Sequence, residues 1–217
     1  MSKMNSLELR WFFPGSLSTE VDAWFHRKLP GPPTGEPDRR SDIYLFQPRH
    51  EEFGIKLRQK KKDNPFSLEI KWRGLAKPFK GSHGTEGQVE QWIKWGWDDP
   101  AGPNPRDIAS LYIPDGPWVT IGKTRWQRKY QWGNGAFTPV PADYMLPLGA
   151  AVEMTFLELK NRTYSTFLLE TFAQDLLTQE KVLDAAVEYL WREYPMPAPK
   201  ADQSCGYPAW LRKIAGA

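Results

Sequence analysis

Two segments of the chain alternate charged and large apolar side chains with a period of two residues. In the first, residues 6–13, Glu8 and Arg10 fall on one parity and large apolar residues fall on the other. Residues 67–73 repeat this pattern. Because successive side chains of a β-strand point to opposite faces, each segment predicts a strand with one charged face and one apolar face. The fold then depends on which of the two faces points inward.

Further segments rich in β-branched and aromatic residues predict more strands, separated by Pro- and Gly-rich breaks. The predicted strands cover residues 42–46, 54–59, 88–97, 118–125, 151–160 and 163–172. A basic turn at residues 60–65 joins the strand at 54–59 to the one at 67–73 as a hairpin. Residues 30–40, 100–105 and 139–147 are predicted to be loops or connections. Parallel strands need long crossovers, which are scarce here, so the sheet is predicted to be antiparallel.

Helices are predicted at three places. Residues 20–29 carry an apolar stripe, and residues 179–194 carry a longer one that Thr178 is placed to cap. A last helix is predicted to start at Pro208, because the missing N–H of proline is harmless in a first turn. The apolar stripes at helical spacing are predicted to be core.

Length and composition indicate one soluble domain spanning residues 1–217. A net charge of +3, from 29 basic and 26 acidic residues, gives no reason to expect a nucleic-acid partner. The single cysteine, Cys205, excludes an intramolecular disulfide and is expected to be a packing residue. No secretory segment or long apolar run is present, so we expect a cytoplasmic protein without a membrane partner. A homodimer stays open.

The charged strand faces allow two arrangements. In the first, they face water and the apolar faces fill an ordinary barrel. In the second, the apolar faces lie outside, under the helices, and the charged faces line a hydrated channel, as wide barrels allow. That channel would hold seven basic residues, Arg10, Lys56, Arg58, Lys71, Arg73, Lys123 and Arg125, and five acidic ones, Glu8, Glu69, Glu90, Glu153 and Glu170.

Such a mixture of charges predicts a site for a metal-complexed polyphosphate. Basic side chains suit phosphate oxygens, and clustered carboxylates suit Mg²⁺ or Mn²⁺. The glycine-rich phosphate-binding loop of many nucleotide-binding proteins is absent from the sequence. His26, His50 and His83 lie far apart in sequence and lack the spacing of metal ligands.

A series of short motifs follows one another over nearly the whole chain. They are Ser6-x-Glu8-x-Arg10, Asp42-Ile43-Tyr44, Lys56-Leu57-Arg58, Glu69-Ile70-Lys71-Trp72-Arg73, Lys123-Thr124-Arg125, Val152-Glu153-Met154-Thr155, Leu169-Glu170 and residues 204–211. In this order they resemble the CYTH superfamily, the triphosphate tunnel enzymes that include class IV adenylyl cyclases, thiamine triphosphatases and inorganic triphosphatases. They are also similar to a group of mostly cyanobacterial CYTH-like proteins, for which the resemblance implies a fold.

The resemblance implies an α+β fold, an eight-stranded antiparallel β-barrel or tunnel with flanking helices, acting on triphosphates with Mg²⁺ or Mn²⁺. It implies that Glu8, Glu69, Glu153 and Glu170 hold metal and that Glu8, Glu153 and Glu170 are catalytic. Arg10, Lys56, Arg58, Lys71, Arg73, Lys123 and Arg125 would hold phosphates. The family opens with an E-x-E-x-K strand, in which this chain has Ser6 for the first Glu and Arg10 for the Lys. One carboxylate is thereby missing.

Three functions are therefore open. The first is a metal-dependent phosphohydrolase acting on a triphosphate-containing or related phosphorylated substrate, such as a small molecule or polyphosphate. The second, motivated by Ser6, is a non-catalytic tunnel that binds a phosphorylated anion as a sensor or carrier. The third is an aromatic-rich barrel that holds an apolar ligand. In it, Ile55 and Ile70 would point into the cavity and Lys56 and Lys71 would point away.

Overall fold

Nine antiparallel strands form the sheet in the part of the chain that the structure describes. The structure is a computed structural model that describes residues 2–32, 34–58, 67–97, 116–195 and 197–215. The strands are β1 (Ser2–Pro14), β2 (Asp38–Leu45), β3 (Phe53–Arg58), β4 (Ser67–Lys80), β5 (Glu86–Trp97), β6 (Trp118–Gly133), β7 (Ala136–Val140), β8 (Gly149–Leu159) and β9 (Arg162–Phe172). The basic turn predicted at 60–65, the end of the strand predicted at 54–59 and the loop predicted at 100–105 lie outside the described residues.

Eight of these strands close into a barrel. Their order around it is β2-β3-β4-β5-β1-β9-β8-β6, and β6 pairs again with β2 to complete the circle. The short strand β7 pairs with the far end of β6, at residues 129–133, beside the barrel. The predicted fold class, an eight-stranded antiparallel barrel with flanking helices, is therefore confirmed.

Three α-helices accompany the barrel in the described residues. They are α1 (Thr19–Ala23), which continues as a π-helical turn over Trp24–Lys28, α2 (Leu176–Trp191) and α3 (Tyr207–Ala215). Helix α2 begins three residues before the predicted start. Its N-cap is Asp175, whose side chain accepts a hydrogen bond from the backbone N–H of Thr178. None of the helices in the described ranges is long and apolar enough to cross a membrane.

Helices α1 and α2 cover the apolar outer face of β1, β8 and β9. Leu9 and Trp11 of β1 are fully buried there together with Phe167 of β9. The ring centroids of Trp11 and Trp191 are 5.7 Å apart, and Trp24 of the π-helical turn lies 5.6 Å from Phe167. Burying side chains of this size stabilises the fold by roughly 1.5–3 kcal/mol each. The strongest packing thus lies outside the barrel, as the second arrangement predicts.

The outer face of β3 and β4 is less well covered. Phe53 and Trp72 are opposite each other on these strands and are 43% and 42% exposed. Helices thus cover the apolar outer face on one side of the barrel, as predicted, but cover it incompletely on the other side.

Helix α3 closes one end of the barrel interior. Phe12, Tyr44 and Leu157, on the inward parity of their strands, form an apolar cluster with Trp210 and Leu211 of α3. The ring of Phe12 stacks on that of Trp210 with centroids 4.6 Å apart. The inward face therefore changes from apolar at this closed end to charged farther along the same strands.

Several element boundaries differ from the sequence prediction. Strand β2 begins at Asp38, inside the predicted loop 30–40, and β6 runs eight residues beyond the predicted end at 125. Strand β7 lies partly in the predicted connection 139–147. A β-bulge between Arg73 and Leu75 lets β4 continue past the predicted charged segment.

Candidate functional site

A charged cavity of about 240 Å³ lies inside the barrel. Its lining includes nine basic residues: Arg10, Arg40, Lys56, Arg58, Lys71, Lys94, Lys123, Arg125 and Lys129. Four carboxylates join them: Glu8, Glu69, Glu153 and Glu170. Lys56, Arg58, Glu69 and Lys71 thus face the cavity, while their apolar sequence neighbours lie on the outer face. This orientation contradicts both the ordinary barrel and the barrel holding an apolar ligand.

The buried carboxylate of Asp42 holds together the basic wall nearest the closed end. Its side chain has no exposed surface, and its oxygens lie 3.0 Å from Nζ of Lys123, 3.4 Å from Nζ of Lys56 and 3.3 Å from Nε of Arg40. Burial would raise the pKa of Asp42, but these cations and Arg58 hold it well below its usual range. Asp42 is therefore a permanent anion behind the cavity wall.

Two lysines of this wall have lowered pKa values. Burial, reinforced by Arg58, lowers the pKa of Lys56 to about 7 despite Asp42 and Glu69. Burial lowers the pKa of Lys123 to about 8, against the opposing effect of Asp42. Burial is the main cause in both lysines, and an additional anion bound in the cavity would favour their charged forms.

A second group of ion pairs runs across β1, β4, β6 and β8. Nζ of Lys71 donates to Oε1 of Glu8 at 2.6 Å, and Arg10 lies 3.5 Å from the other oxygen of Glu8. Arg10 also lies 3.6 Å from Glu153, which accepts a hydrogen bond from Arg125 at 3.0 Å. Burial raises the pKa of Glu153 and the neighbouring arginines lower it, with a net lowering, so Glu153 is ionised.

Glu69 is paired in the same manner on β4. It lies 2.8 Å from Nζ of Lys56 and 3.4 Å from Nη2 of Arg58, with Lys94 at 4.0 Å. Although burial opposes ionisation, the lysines and Arg58 lower the pKa of Glu69. Each of these three carboxylates, on β1, β4 and β8, thus already has a basic partner.

Glu170 is held differently. It lies directly opposite Glu8 on the paired strands β9 and β1, and it accepts a hydrogen bond from Oγ of Ser6 at 2.7 Å. Burial and the negative charge of Glu8 raise the pKa of Glu170. Ser6, which stands where the CYTH motif has its first glutamate, therefore serves as a hydrogen-bond donor to a neighbouring carboxylate.

Two tyrosines separate the charged cavity from the apolar closed end. Nζ of Lys123 lies 4.0 Å from the ring centroid of Tyr207 and 4.9 Å from that of Tyr44, and it donates to the Tyr44 hydroxyl at 2.6 Å. The guanidinium of Arg10 lies 4.9 Å from the Tyr207 ring. Cation–π contacts of this kind stabilise desolvated cations by about 2 kcal/mol or more.

Some donors at the cavity have no partner. Among the described residues, Nε of Arg10, Nε of Arg125 and the hydroxyl of Tyr207 are buried without a hydrogen-bond partner. An unsatisfied buried donor costs about 1–3 kcal/mol. The three atoms have almost no accessible surface, so the oxygens of water or of an anion would satisfy them once the side chains shift toward the cavity.

The structure brings together ten of the residues that the sequence predicted for the site: Glu8, Arg10, Lys56, Arg58, Glu69, Lys71, Lys123, Arg125, Glu153 and Glu170. Arg73 is not among the residues that line the cavity. It donates to Glu90 at 2.8 Å, and Glu90 also accepts from Trp92 at 2.9 Å. The half-buried Arg73 and the buried Glu90 therefore form an ion pair beside the cavity, and the roles predicted for all of these residues stay predictions.

Sequence reasoning missed three basic residues of the site. Lys94 shares the parity of Glu90 on a predicted strand, so the alternation could have found it. Arg40 and Lys129 fall where strands β2 and β6 extend beyond their predicted ends. Extending the parity of Asp42 back to Arg40, and that of Arg125 on to Lys129, would have placed both on the inward face.

The carboxylates do not form a ready metal site. No group of three or more His, Cys, Asp or Glu side chains within the described ranges is arranged to hold a metal ion. Glu8, Glu69 and Glu153 are engaged by basic side chains, and Glu170 by Ser6. A resident Mg²⁺ or Mn²⁺ does not fit this arrangement, and the predicted metal-binding role of the four glutamates stays a prediction.

A solved structure shares this barrel. The PH1819 protein of Pyrococcus horikoshii OT3 superimposes with a TM-score of 0.52 at 12% identity, covering 96% of this chain and 99% of that one. The chain has the tunnel fold that its resemblance to the CYTH superfamily implies. HpAC1 of Hippeastrum, described as having a dominant triphosphatase activity, aligns with a TM-score of 0.46 at 11% identity, covering 97% of this chain and 96% of that one.

At these identities the likeness concerns the fold alone. No family model matches the sequence, and no curated protein matches it. The function must therefore be argued from the cavity itself.

Proposed function

We propose that the barrel binds an oligophosphate, such as a triphosphate or the triphosphate group of a small molecule, in its charged cavity. The observation that carries this proposal is the excess of cations: nine basic residues and four carboxylates line the cavity. Arginine forks and lysine ammonium groups bind phosphate oxygens with charge-assisted hydrogen bonds. A ligand with several negative charges would balance this excess.

The unsatisfied donors support the same ligand class. Nε of Arg10, Nε of Arg125 and the hydroxyl of Tyr207 come from three different elements and all belong to residues that line the cavity. Once these side chains shift toward the cavity, an elongated anion with many acceptor oxygens can reach separate donors, whereas a single carboxylate cannot. The lowered pKa values of Lys56 and Lys123 also indicate ammonium groups that an anion would stabilise.

The size of the cavity suits a small anion. Its volume of about 240 Å³ is below the roughly 300–1,000 Å³ of pockets for drug-sized ligands. Helix α3 closes one end, so an organic group attached to the phosphates would extend toward the other end, near Met4 and Lys129. The proposal therefore places the phosphates between the two ends, beside Arg10 and Arg125.

A second candidate function is hydrolysis of the bound oligophosphate with Mg²⁺ or Mn²⁺. The observation that favours it is the pair Glu8 and Glu170, two carboxylates that face each other beside the cations. Phosphoryl transfer is catalysed mostly by positioning and by neutralising phosphate charge, which the basic wall could do. A divalent ion would enter complexed with the substrate. Glu8, Glu153 and Glu170 are the catalytic residues of this candidate.

An assay of phosphate release distinguishes hydrolysis of the oligophosphate from binding alone. Tripolyphosphate, nucleoside triphosphates and thiamine triphosphate are each incubated with the protein and Mg²⁺ or Mn²⁺. Hydrolysis predicts release that Glu153→Gln abolishes and that Glu158→Gln, an exposed glutamate on the same strand, leaves unchanged. Saturable binding without release supports a non-catalytic tunnel. Failure of every phosphorylated anion to bind contradicts both.

A further inference from the structure

We propose that the ammonium group of Lys71 is the permanent counter-cation of the Glu8–Glu170 pair, so that the cavity takes up its oligophosphate without a divalent ion. The inference rests on the proposed function for the identity of the ligand. It concerns the cation that neutralises Glu8 and Glu170, the carboxylates that a divalent ion would need as ligands.

The first step is the position of the two carboxylates. Glu8 and Glu170 are opposite each other on β1 and β9, and both line the cavity. Side chains directly opposite on one face of an antiparallel pair have their Cβ atoms about 4.5–5.5 Å apart. Two carboxylates this close repel each other unless a cation or a proton lies between them.

The second step is the cation that the chain supplies. Nζ of Lys71 donates to Oε1 of Glu8 at 2.6 Å, and both Glu8 and Glu170 favour its charged form. Arg10 takes the other oxygen of Glu8, at 3.5 Å. Both oxygens of Glu8 are therefore engaged by side chains that come from two different strands.

The third step concerns the remaining donor. The hydroxyl of Ser6 donates a hydrogen bond to Oε1 of Glu170 at 2.7 Å. The hydroxyl hydrogen, and not an oxygen lone pair, therefore points toward the two carboxylates. A carboxylate at this position would add negative charge and call for a second positive charge. With serine, the two carboxylates are served by the ammonium group of Lys71, by Arg10 on Glu8 and by one hydrogen bond on Glu170.

The consequence for the ligand is a preference for the metal-free anion. Mg²⁺ neutralises part of the charge of an oligophosphate, and the complex has less to gain from nine basic side chains than the free anion has. A divalent ion at Glu8 and Glu170 would also have to displace Lys71 and meet its positive charge. Both effects favour binding without the metal.

Calorimetry of tripolyphosphate with the wild-type chain gives the first test. The affinity in buffer with EDTA is expected to equal or exceed the affinity in buffer with Mg²⁺. Saturable binding that requires Mg²⁺ would overturn the inference while leaving the proposed function standing. If tripolyphosphate binds in neither buffer, the proposed function fails, and the second test still decides the role of Lys71.

The second test measures Mn²⁺ binding without phosphate, by electron paramagnetic resonance. Lys71→Met uncovers the two carboxylates and should bind Mn²⁺ at least about tenfold more tightly than the wild type, equivalent to about 1.4 kcal/mol. Lys94→Met is the matched control. Lys94 is the cross-strand neighbour of Lys71 and also lines the cavity, but its ion pair is with Glu69, and its effect on the pKa of Glu170 is smaller than that of Lys71.

Equal Mn²⁺ affinity of the wild type and Lys71→Met would overturn the inference. So would an equal gain in both lysine variants, because it would reflect the general loss of positive charge. Circular dichroism checks that Lys71→Met folds. If it does not, the wild-type comparison in EDTA and Mg²⁺ decides.

Discussion

The carboxylate of Asp42 lies 3.0 Å from Nζ of Lys123, and neither side chain has appreciable exposed surface. The same carboxylate lies within 3.6 Å of Lys56, Arg40 and Arg58. One anion that does not itself line the cavity therefore sets the positions of four cations that do. Without it, those four like charges would repel one another in a poorly solvated wall.

Asp42→Asn is expected to destabilise the protein. Removing one partner of a buried ion pair typically costs about 3–5 kcal/mol, because the remaining charges stay buried and uncompensated. Urea unfolding measures the loss. Asp38→Asn is the control, since Asp38 also contacts Arg40 and Arg125 but its side chain is 45% exposed. The free energy of unfolding of Asp38→Asn should be lower than that of the wild type by about 1 kcal/mol or less. Equal losses would contradict a special role for Asp42.

The affinity for tripolyphosphate is expected to fall as the pH rises from about 7 to above 8. Lys56 and Lys123, with pKa values of about 7 and about 8, lose their charges in this range. A bound anion would raise both pKa values, so binding near pH 8 should take up protons. Calorimetry in two buffers of different ionisation enthalpy measures this uptake. Lys123→Arg keeps its charge and should show less uptake; an unchanged uptake would contradict the assignment to Lys123.

The lowered pKa of Lys123 should make the protein more stable as the pH rises, whereas it makes anion binding weaker. Its ordinary value is 10.5, so between about pH 8 and the onset of tyrosine ionisation the unfolded chain holds more protons than the folded chain. Stability rises with pH wherever the unfolded state binds more protons. The free energy of unfolding should therefore increase over this range. Lys123→Arg should reduce the rise without abolishing it, because the lowered pKa of Lys56 acts in the same direction. A fall in wild-type stability over the same range would contradict these pKa shifts.

Ser6→Glu is expected to make the stability depend on divalent ions. The new carboxylate would lie beside Glu8 and Glu170, where Ser6 is 3% exposed. An uncompensated buried charge should destabilise the chain by about 3 kcal/mol. Mn²⁺ should recover part of the loss, as a rise in melting temperature larger than that of the wild type. Ser6→Gln, of similar size and uncharged, should not respond; an equal response would exclude a charge effect.

Gly206→Ala is expected to disturb the junction between α3 and the cavity. A Cβ atom there would lie 2.5 Å from Oε2 of Glu90 and 2.8 Å from the Trp92 ring. The indole N–H of Trp92 donates a hydrogen bond to the same Oε2. Overpacking of this kind costs about 1–3 kcal/mol. Gly133→Ala, where a Cβ atom meets nothing within 4 Å, is the control. Thermal unfolding compares the two, and an equally stable Gly206→Ala would contradict the close packing.

The alternation of residues predicted most of the strands and which side chains share a face of the sheet. Strand parity fixes which side chains share a face, so if Glu8 points inward, Arg10 does too. Because neighbouring strands are joined by hairpins, the inward face of one strand also fixes the inward face of the next. Parity alone could not decide which face is inside, and the resemblance to the CYTH tunnels favoured the charged face. The position of α3 inside one end depends on the packing of Phe12 against Trp210, which no local pattern reveals.

The partners of the charged residues could not be predicted in the same way. Arg73 and Lys71 share a parity, yet a bulge after Arg73 turns the strand and Arg73 pairs with Glu90 outside the cavity lining. The link between Asp42 and Lys123 joins residues 81 positions apart in sequence across β2 and β6, and depends on barrel closure. Ion pairing within the cavity is thus a property of the closed barrel.

Binding of an oligophosphate inside the barrel can be seen in a crystal of the protein soaked with tripolyphosphate in the absence of divalent ions. We expect a phosphate chain inside the barrel, with oxygens on Arg10, Arg125 and Lys123. The Tyr207 hydroxyl should donate to the same anion. An anion bound only outside the barrel, or a cavity that holds only water at saturating tripolyphosphate, would contradict this expectation.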